Sequence, residues 1–328
     1  MPFYSGFYNI GIMQLFIQIP CYNEAETLPL TLAKIPRSVT GCRNVKVLII
    51  DDGSSDRTAE IAREHGADHV IKMSVHQGLA RAFTIGIEAC VRLGADIIVN
   101  TDADNQYNAA DIDKLTTPII QKQADIVIGT RPIDQIKHFS LSKKLLQKIG
   151  SAVVRAFSGI NIQDATSGFR ALNREAALKL NIFSRYSYTL EMIIQAGQKN
   201  LTIVNMPIRV NGFLRPSRLA KSTLSYIIQS VKTIIRISVD YHPFRFFFII
   251  GTTFIIAGTL LGVRFLWLFY HQSGNGHIQS LIFASIFFGL GAQAIIAAFI
   301  TDVSAINRRI MEDVQYRLKC EQLKKLTE

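Results

Sequence analysis

The sequence predicts an α/β domain with a mostly parallel, Rossmann-like sheet, followed by a C-terminal hairpin of two transmembrane helices. Three observations support this prediction. Short apolar runs alternate with amphipathic stretches from about residue 13 to residue 210, polar residues follow several of these runs, and two long uncharged apolar stretches lie beyond residue 244. Strands that alternate with helices are typical of βαβ units, whose sheets are covered by helices on both faces.

Five apolar runs have the length of buried strands, and they comprise residues 15–19, 45–50, 70–71, 97–99 and 126–128. Amphipathic stretches over residues 59–65, 79–93 and 110–122 are predicted to form the helices between them. In open α/β sheets, ligands bind beyond the carboxyl ends of the strands. We therefore expect a functional site among the polar residues that directly follow the apolar runs.

Four parts are predicted along the chain: the α/β domain (1–212), a basic loop with a juxtamembrane amphipathic helix (213–243), the two transmembrane helices (244–306) and a cytoplasmic tail (307–328). Apolar residues recur at helical spacing from 224 to 235, with Lys221, Lys232 and Arg236 at or between them. This pattern suits a basic helix that lies on a membrane surface. An ordinary helix packed on the α/β domain is an equally open alternative.

The transmembrane helices are predicted at about residues 246–269 and 278–301. Residues 246–263 and 278–301 carry no formal charge, and each can cross about 30 Å of hydrocarbon at ~1.5 Å per residue. Two buried core helices are the alternative. Arginines flank the hairpin at positions 236, 245, 308 and 309, whereas the loop 271–277 contains no Lys or Arg. The positive-inside rule therefore predicts that the α/β domain and both termini are cytoplasmic.

The overall composition narrows the classes of partner. The 328 residues have a net charge of +11, which favours an anionic partner such as nucleic acid, anionic lipid or a phosphorylated substrate. The four cysteines form no C-x-x-C pair, so neither a zinc site nor a disulfide framework is indicated. No G-x-G-x-x-G follows the first apolar run, which excludes a dinucleotide-dependent oxidoreductase.

The most informative segment is Asn-Thr-Asp-Ala-Asp-Asn-Gln-Tyr at residues 100–107, directly after a predicted strand. Asp102 and Asp104 can converge on one hard divalent cation, which prefers oxygen ligands, and Gln106 can add a neutral oxygen. An Asp-x-Asp pair alone is more often a loop or helix-capping feature. Its position after a buried strand favours the metal site.

Two further polar segments follow predicted strands. Asp51 and Asp52 begin the run Asp-Asp-Gly-Ser-Ser-Asp-Arg-Thr, where adjacent acids can accept hydrogen bonds from a base or a ribose. Helix capping explains the later serines and Asp56, but not the adjacent acids. In Pro-Cys-Tyr-Asn-Glu at residues 20–24, Tyr22 offers a ring that can stack on a nucleobase, and Asn23 or Glu24 can cap a helix.

These segments, in this order and spacing, resemble family 2 glycosyltransferases of the GT-A fold. The resemblance also includes Gln-Gly-Leu-Ala-Arg-Ala at residues 77–82 and covers about residues 14–225. Gly-Thr-Arg at 129–131, Asp-Ala-Thr-Ser-Gly-Phe-Arg at 164–170 and Tyr-Thr-Leu-Glu at 188–191 look like the dolichol-phosphate mannose and glucose synthase branch. The implied fold is the nucleotide-diphospho-sugar transferase fold.

The resemblance also implies roles for individual residues. The nucleotide pocket would be lined by Pro20, Tyr22, Glu24, Asp51, Asp52, Asp102 and Ala103. Mg²⁺ or Mn²⁺ would be held against the donor diphosphate by Asp102, Asp104 and Gln106. Catalytic roles would fall to Asp104 and to three basic residues near the phosphates: Arg131, Arg215 and Lys221. The chain departs from the family at His76, where Asn is frequent, and at the basic pair Lys143 and Lys144.

The implied activity is the inverting, metal-dependent transfer of a hexosyl group from a UDP- or GDP-sugar to a polyprenyl phosphate at the cytoplasmic membrane face. The acceptor would be an undecaprenyl- or dolichyl-type phosphate, which is already anionic near neutral pH, so that no strong general base is required. The implied partners are therefore the nucleotide-sugar, the lipid phosphate and the membrane.

Two alternatives remain open. A polysaccharide-building family 2 enzyme would carry a Gln-x-x-Arg-Trp segment, but the only tryptophan, Trp267, lies in a predicted transmembrane helix. A basic membrane protein that binds nucleic acid is the other alternative, and the lack of a basic and aromatic stripe argues against it. Small residues in the hairpin permit a homo-oligomer; they are Gly251, Gly258, Gly262, Gly289 and Gly291.

Overall fold

The computed structural model describes residues 13–132, 159–182, 188–211, 243–271 and 278–327, together with the single residues 155 and 239. The described strands are β1 (Met13–Cys21), β2 (Cys42–Asp51), β3 (His69–Lys72), β4 (Ile97–Asn100), β5 (Ile126–Thr130), β6 (Arg170–Asn173) and β7 (Ile203–Pro207). The described α-helices are α1 (Leu28–Lys34), α2 (Thr58–Glu64), α3 (Leu79–Arg92), α4 (Ile112–Ile120), α5 (Arg174–Lys179), α6 (Tyr188–Gln198), α7 (Pro243–His271) and α8 (Ile278–Thr327). A short 3₁₀ turn, Ala109–Asp111, precedes α4.

The strands form one mixed sheet in the order β3-β2-β1-β4-β6-β5-β7. Strand β6 is antiparallel to β4 and β5, and the other described pairs are parallel. The predicted mostly parallel sheet is therefore confirmed, as are the five predicted strands. Strands β6 and β7 were not predicted because β6 has only Ala171 and Leu172 between polar ends, and β7 is partly exposed along its length.

The central strands place three polar segments side by side. Strand β1 pairs in parallel with β2 on one side and with β4 on the other, so that Cys21 lies opposite Asp51 and Gln18 opposite Asn100. These strands are apolar almost throughout because both faces of the sheet are covered. The chain therefore leaves all three strands at one edge, where the residues after Cys21, Asp51 and Asn100 come together.

The contacts divide the described residues into two compact units, one that holds the sheet and the end of α8 from Tyr316, and one that holds α7 and α8 up to Gln315. In the second unit, α7 and α8 are long and apolar enough to cross a membrane by length and composition. They pack together where Gly251 meets Gly291: a Cβ on Gly251 would lie 3.0 Å from the Gly291 carbonyl oxygen. The rings of Phe254 and Phe287 stack with centroids 5.8 Å apart.

Glycine use in the hairpin bears on the predicted oligomer. Gly251, Gly258 and Gly291 are taken up by contacts between α7 and α8, whereas a Cβ at Gly262 or Gly289 would meet no other described atom within 4 Å. Association through these helices stays a prediction. Several predicted features lie outside the described residues: Arg215, Lys221, Lys143, Lys144, the amphipathic helix around 224–235 and most of the loop 271–277.

Candidate active site

The loop after β1 is braced by the loop after β2. The backbone N–H of Asn23 donates to Ser54 Oγ (2.9 Å), that of Glu24 to Thr58 Oγ1 (2.9 Å) and that of Ala25 to Asp56 Oδ2 (3.1 Å). Asp56 also accepts from the N–H of Thr58, the first residue of α2, at 3.0 Å. The hydroxyl groups and Asp56 therefore fix both loops, and only Asp56 acts on the helix start as the capping interpretation expected.

Asp51 and Asp52 have different environments, although both are buried. The two carboxylate oxygens of Asp52 accept from the backbone N–H groups of Gln77 and Gly78, each at 2.8 Å. Asp51 Oδ1 accepts from the N–H of Ser54 at 2.9 Å, and its Oδ2 is buried and makes no hydrogen bond within the described chain. Asp52 thus holds the turn before α3, while Asp51 keeps one acceptor atom for another donor.

Tyr22 lies at the rim of this edge with 40% of its surface exposed. Its ring stacks on that of His76, with centroids 3.8 Å apart and planes inclined by 25°. His76 Nδ1 lies 2.9 Å from Asp52 Oδ2, which holds the imidazole in place. The residue at which the chain departs from the resembling family therefore enlarges the aromatic surface at Tyr22.

Asp102 and Asp104 follow β4, and both are partly buried. Burial, and after it the charge of Asp104, raise the pKa of Asp102 to about 7; Glu24 adds to this shift, while Arg131 and Tyr107 oppose it. Asp104 Oδ1 accepts from the N–H of Gln106 at 3.1 Å. The structure therefore brings the carboxylates of Asp104 and Glu24 close enough to disfavour the charged form of Asp102.

A chain of hydrogen bonds fixes Asp102 from behind. The hydroxyl of Tyr107 donates to the Asp102 carboxylate and accepts from the N–H of Gly168 (3.0 Å). Asn100 Nδ2 donates to the Gly168 carbonyl (2.8 Å), and Asn100 Oδ1 accepts from Gln18 (2.9 Å). Gly168 packs against the Asp102 carboxylate, since a Cβ there would lie 3.0 Å from Asp102 Oδ1 and 3.2 Å from Oδ2.

Arg131 follows β5 and forms a buried ion pair with Asp164. Its Nε donates to Asp164 Oδ2 (2.7 Å), and its Nη2 donates to Asp164 Oδ1 (2.9 Å) and Thr166 Oγ1 (2.8 Å). Burial alone would raise the pKa of Asp164, but Arg131 and Thr166 outweigh it and hold that pKa below its usual value. Nη1 makes no hydrogen bond to the described residues.

Arg170 holds the loop that carries Asp164 and Gly168. It is fully buried and donates to three backbone carbonyls, those of Ser167 (2.7 Å), Ala165 (2.8 Å) and Thr189 (2.8 Å). Burial lowers its pKa to about 10, well above neutral, so the side chain stays charged. Because three carbonyls depend on one guanidinium, this arginine fixes the backbone against which Asp102 packs.

The predicted site residues thus fall into three groups. Five lie around the edge where β1, β2 and β4 end: Tyr22, Glu24, Asp51, Asp102 and Asp104. Five others are also described: Pro20 and Ala103 are buried, Asp52 holds the 76–78 turn, Arg131 pairs with Asp164, and the Gln106 side chain makes no hydrogen bond to described residues. Arg215 and Lys221 lie outside the described residues. The functional role of each residue stays a prediction.

Sequence reasoning missed the residues that support the acids. Tyr107, Gly168 and Asn100 were part of recognised segments, yet no role was predicted for them. One signal was available, since Gln18 and Asn100 are polar in otherwise apolar strands, and buried polar side chains need partners. The partner Gly168, however, is 68 residues from Asn100, and local sequence gives no indication of that contact.

The family model for glycosyl transferase family 2 matches residues 16–180, about half of the chain. The chain belongs to glycosyltransferase family 2. It is similar to the undecaprenyl-phosphate mannosyltransferase of Micrococcus luteus, with 30% identity over 206 residues, which is 60% of this chain and 83% of that protein. It is also similar to the dolichol-phosphate mannosyltransferase of Pyrococcus furiosus, with 29% identity over 270 residues, or 78% of this chain and 72% of that protein.

Solved structures place this family 2 enzyme in the GT-A fold. Glucosyl-3-phosphoglycerate synthase from Mycobacterium tuberculosis, in complex with phosphoglyceric acid, superposes with a TM-score of 0.53 at 18% identity, covering 69% of this chain and 79% of that one. The complex of the same enzyme with Mn²⁺, UDP and glucosyl-3-phosphoglycerate gives a TM-score of 0.50 at 19% identity, with the same coverage of both chains. At this identity the likeness concerns the fold alone.

The donor atoms present in this glycosyltransferase fit a hard divalent cation. Carboxylate oxygens of Asp102 and Asp104 lie at a partly open edge, and their mutual repulsion is the kind that a bound cation relieves. Within the described residues, no cluster of three or more His, Cys, Asp or Glu side chains is arranged as a metal site of its own. Two carboxylates with open positions leave room for oxygens of a diphosphate.

Proposed function

We propose that this family 2 enzyme transfers a hexosyl group, with inversion, from a UDP- or GDP-sugar to a polyprenyl phosphate at the cytoplasmic face of a membrane. The observation that carries the proposal is the crowded pair Asp102 and Asp104 at the edge where Tyr22 and Asp51 also lie. The names of two relatives supply the acceptor class, since both are polyprenyl-phosphate mannosyltransferases.

The carboxylates of Asp102 and Asp104, with the side-chain oxygen of Gln106, would hold Mg²⁺ or Mn²⁺. Such an ion, when bound, neutralises charge on the departing nucleotide diphosphate as a Lewis acid. The pKa of about 7 for Asp102, raised by burial and then by the charge of Asp104, supports this role, because a carboxyl group that retains its proton for these reasons exchanges it readily for a cation. The structural relative from Mycobacterium tuberculosis was crystallised with Mn²⁺ and UDP.

The nucleotide is proposed to bind between the first two loops. The exposed ring of Tyr22 offers a face for base stacking, and the ring of His76 stacks on the same tyrosine and supports it. Asp51 Oδ2 is a buried acceptor without a donor among the described residues, and it can receive an N–H of the base. The adjacent Asp52 differs, because both of its carboxylate oxygens already accept hydrogen bonds from backbone amides.

The acceptor needs orientation more than activation. A phosphate monoester is anionic near neutral pH, so the enzyme has to hold its oxygen in line with the anomeric carbon. We assign this task to Nη1 of Arg131 and to Arg215 and Lys221, whose cationic groups suit phosphate oxygens. An in-line displacement inverts the anomeric configuration and converts an α-linked donor into a β-linked lipid phosphate sugar.

Helices α7 and α8 are proposed to anchor the enzyme beside its lipid acceptor. Arg245 lies at the start of α7, and Arg308 and Arg309 follow the apolar part of α8. Basic residues at both of these positions favour the cytoplasmic side. A tethered catalytic domain meets a lipid phosphate in two dimensions, which raises the effective concentration of the acceptor.

Membranes that contain the full chain can test this function with a panel of radiolabelled UDP- and GDP-sugars and added undecaprenyl or dolichyl phosphate. We expect label in the organic extract from one donor, released as free sugar by mild acid, and a β-anomeric signal in the purified product. Membranes with the Asp104→Asn variant are the control. Label that appears only in water-soluble polymer, or in no lipid with any donor, would overturn the proposal.

A further inference from the structure

The segment after β7 runs alongside the loop that carries the two aspartates. We call residues 102–107 the metal loop and residues 209–211 the bracing segment. Tyr107 and Val210 form an isolated antiparallel β-bridge, the N–H of Asn108 donates to the Arg209 carbonyl (3.2 Å), and the N–H of Asn211 donates to the Gln106 carbonyl (2.8 Å). The bracing segment therefore contacts the metal loop through the backbone of Val210 and Asn211, and the residue after the loop, Asn108, through the backbone of Arg209.

Asn211 adds side-chain contacts inside the metal loop itself. Its Nδ2 lies 2.9 Å from the carbonyl oxygen of Asn105, 3.3 Å from Asn105 Oδ1 and 3.2 Å from the carbonyl oxygen of Tyr107. One amide thus gathers acceptors from both sides of Gln106. These contacts span more than 100 residues of sequence, so they are tertiary and not part of a local turn.

The conformation that Asn211 holds is one that the loop would not favour alone. Asn105, between Asp104 and Gln106, has φ of +55°, in the left-handed region. That region is sterically unfavourable for an L-residue, though less so for Asn than for most. Because Asn105 sets the direction in which its two neighbours project, a relaxed Asn105 would separate Asp104 from Asp102.

An ion pair between the buried Asp111 and the exposed side chain of Arg209 anchors the bracing segment at its other end. Asp111 is fully buried and accepts from Arg209 at the backbone N (2.7 Å), Nε (3.1 Å) and Nη2 (2.8 Å). Lys114 Nζ also lies 2.8 Å from Asp111 Oδ1. The bracing segment is therefore fixed independently of the metal loop and can act as its template.

We infer that Asn211 is a positioning residue for the divalent cation: its amide holds Asn105 in the left-handed conformation, and this aims Asp104 and Gln106 at the same point as Asp102. The inference rests on the proposed function, since it requires the metal site. It assigns no contact between Asn211 and substrate. Removal of the amide should weaken cation binding more than it lowers the rate at saturating cation.

The test uses the full chain in detergent and three variants: Asn211→Ala, Asn211→Asp and Asn205→Ala. Asn205 is the matched control. It lies in β7, shortly before Asn211 in the chain, and its amide also donates to a backbone carbonyl, that of Asn161 (2.7 Å). This contact is away from the metal loop. Free Mn²⁺ is measured by its electron paramagnetic resonance signal during titration with UDP or GDP present. Transfer assays over a range of Mn²⁺ concentrations give the second reading.

We expect Asn211→Ala to raise the Kd for Mn²⁺ about tenfold, the lower end of what loss of a supporting hydrogen bond costs a metal site. The half-saturating Mn²⁺ concentration for transfer should rise by the same factor, and Asn205→Ala should change neither value. Asn211→Asp keeps the size and adds a negative charge that by itself would tighten cation binding, so weaker binding in this variant isolates the lost donor. It decides the matter if Asn211→Ala does not fold.

Equal Kd values for Mn²⁺ in the wild type and in a folded Asn211 variant would overturn the inference and leave the proposed function intact. A wild-type chain that binds no Mn²⁺ with either nucleotide would overturn the metal assignment itself, and the inference with it. The two failures are therefore distinguishable in one titration.

Discussion

Two acidic pairs stand at the ends of β2 and β4, the two strands that flank β1 in the sheet, and the structure uses them differently. After β2, Asp52 binds two backbone amides and Asp51 binds one. After β4, Asp104 binds one amide and Asp102 binds a hydroxyl, and the two carboxylates repel each other. The same residue type at equivalent positions therefore fixes a loop in one case and forms a pair of mutually repelling carboxylates in the other.

A glycine near each pair determines which N–H donors reach its carboxylates. Gly53 has φ of +68°, and a Cβ there would lie 2.6 Å from the Val75 carbonyl carbon, so only glycine lets the 75–78 turn come close enough to deliver its amides to Asp52. At the other pair, Gly168 comes close to Asp102 but offers it no N–H, because that group donates to Tyr107. The carboxylate of Asp102 therefore receives no backbone N–H from Gly168.

The largest effect is expected at Asp102 and Asp104, the pair whose carboxylates repel each other. Asp104→Asn removes one of two carboxylates and should lower the transfer rate by on the order of 10²–10³-fold, the loss typical when one group that stabilises developing charge is removed. The thermal unfolding midpoint should stay the same, because Asp104 accepts one hydrogen bond from the part of the chain that the structure describes, and Asn can accept it too. Initial rates with labelled donor at saturating Mn²⁺ measure the change.

Asp113→Asn is the matched control for Asp104→Asn. Asp113 is an exposed acid at the start of α4, and its substitution should leave the rate unaffected. Full activity in Asp104→Asn would show that the two acidic pairs do not differ in the way described, and the metal assignment would be abandoned.

A smaller effect, on stability and not on the transfer rate, is expected at Asp51 and Asp52. Asp52→Asn leaves one of the Gln77 and Gly78 amides without an acceptor and removes the charge from the other bond, which should cost about 1–3 kcal/mol of stability. A lower unfolding midpoint in detergent measures it, and Mn²⁺ binding per folded molecule should be retained. An unchanged midpoint with weakened UDP and GDP binding would instead place Asp52 in the nucleotide pocket.

The difference between the two pairs could be predicted from sequence only in part. The strands and the position of Asp102 and Asp104 follow from local patterns, because a buried parallel strand is a continuous apolar run and ligands bind at its carboxyl end. Which carboxylates are satisfied depends on amides that arrive from elsewhere. Gln77 is 25 residues from Asp52, and Gly168 is 61 residues from Tyr107.

The antiparallel strand β6 shows the same limit at the level of the fold. Its residues Arg170–Asn173 contain a fully buried arginine, which a hydrophobic pattern treats as exposed. The guanidinium is buried because the carbonyls of Ala165 and Ser167 and that of Thr189 in α6 surround it, and these carbonyls converge only in the folded chain. Local periodicity therefore misses an element whose stability depends on tertiary hydrogen bonds.

The smallest effect is expected at Gly168, where a substitution tests whether close packing against Asp102 affects cation binding. Gly168→Ala adds no charge and removes no ligand, but its Cβ would press on both oxygens of Asp102 at 3.0 and 3.2 Å and on the Tyr188 hydroxyl at 3.2 Å. A displacement of a few tenths of an ångström should raise the half-saturating Mn²⁺ concentration about tenfold, comparable with the loss of a supporting contact. Gly262→Ala, where a Cβ meets no other described atom within 4 Å, is the control. If Gly168→Ala lowers the unfolding midpoint and leaves the Mn²⁺ dependence unchanged, then Gly168 serves packing alone, and the hydroxyl of Tyr107 is what keeps Asp102 in place.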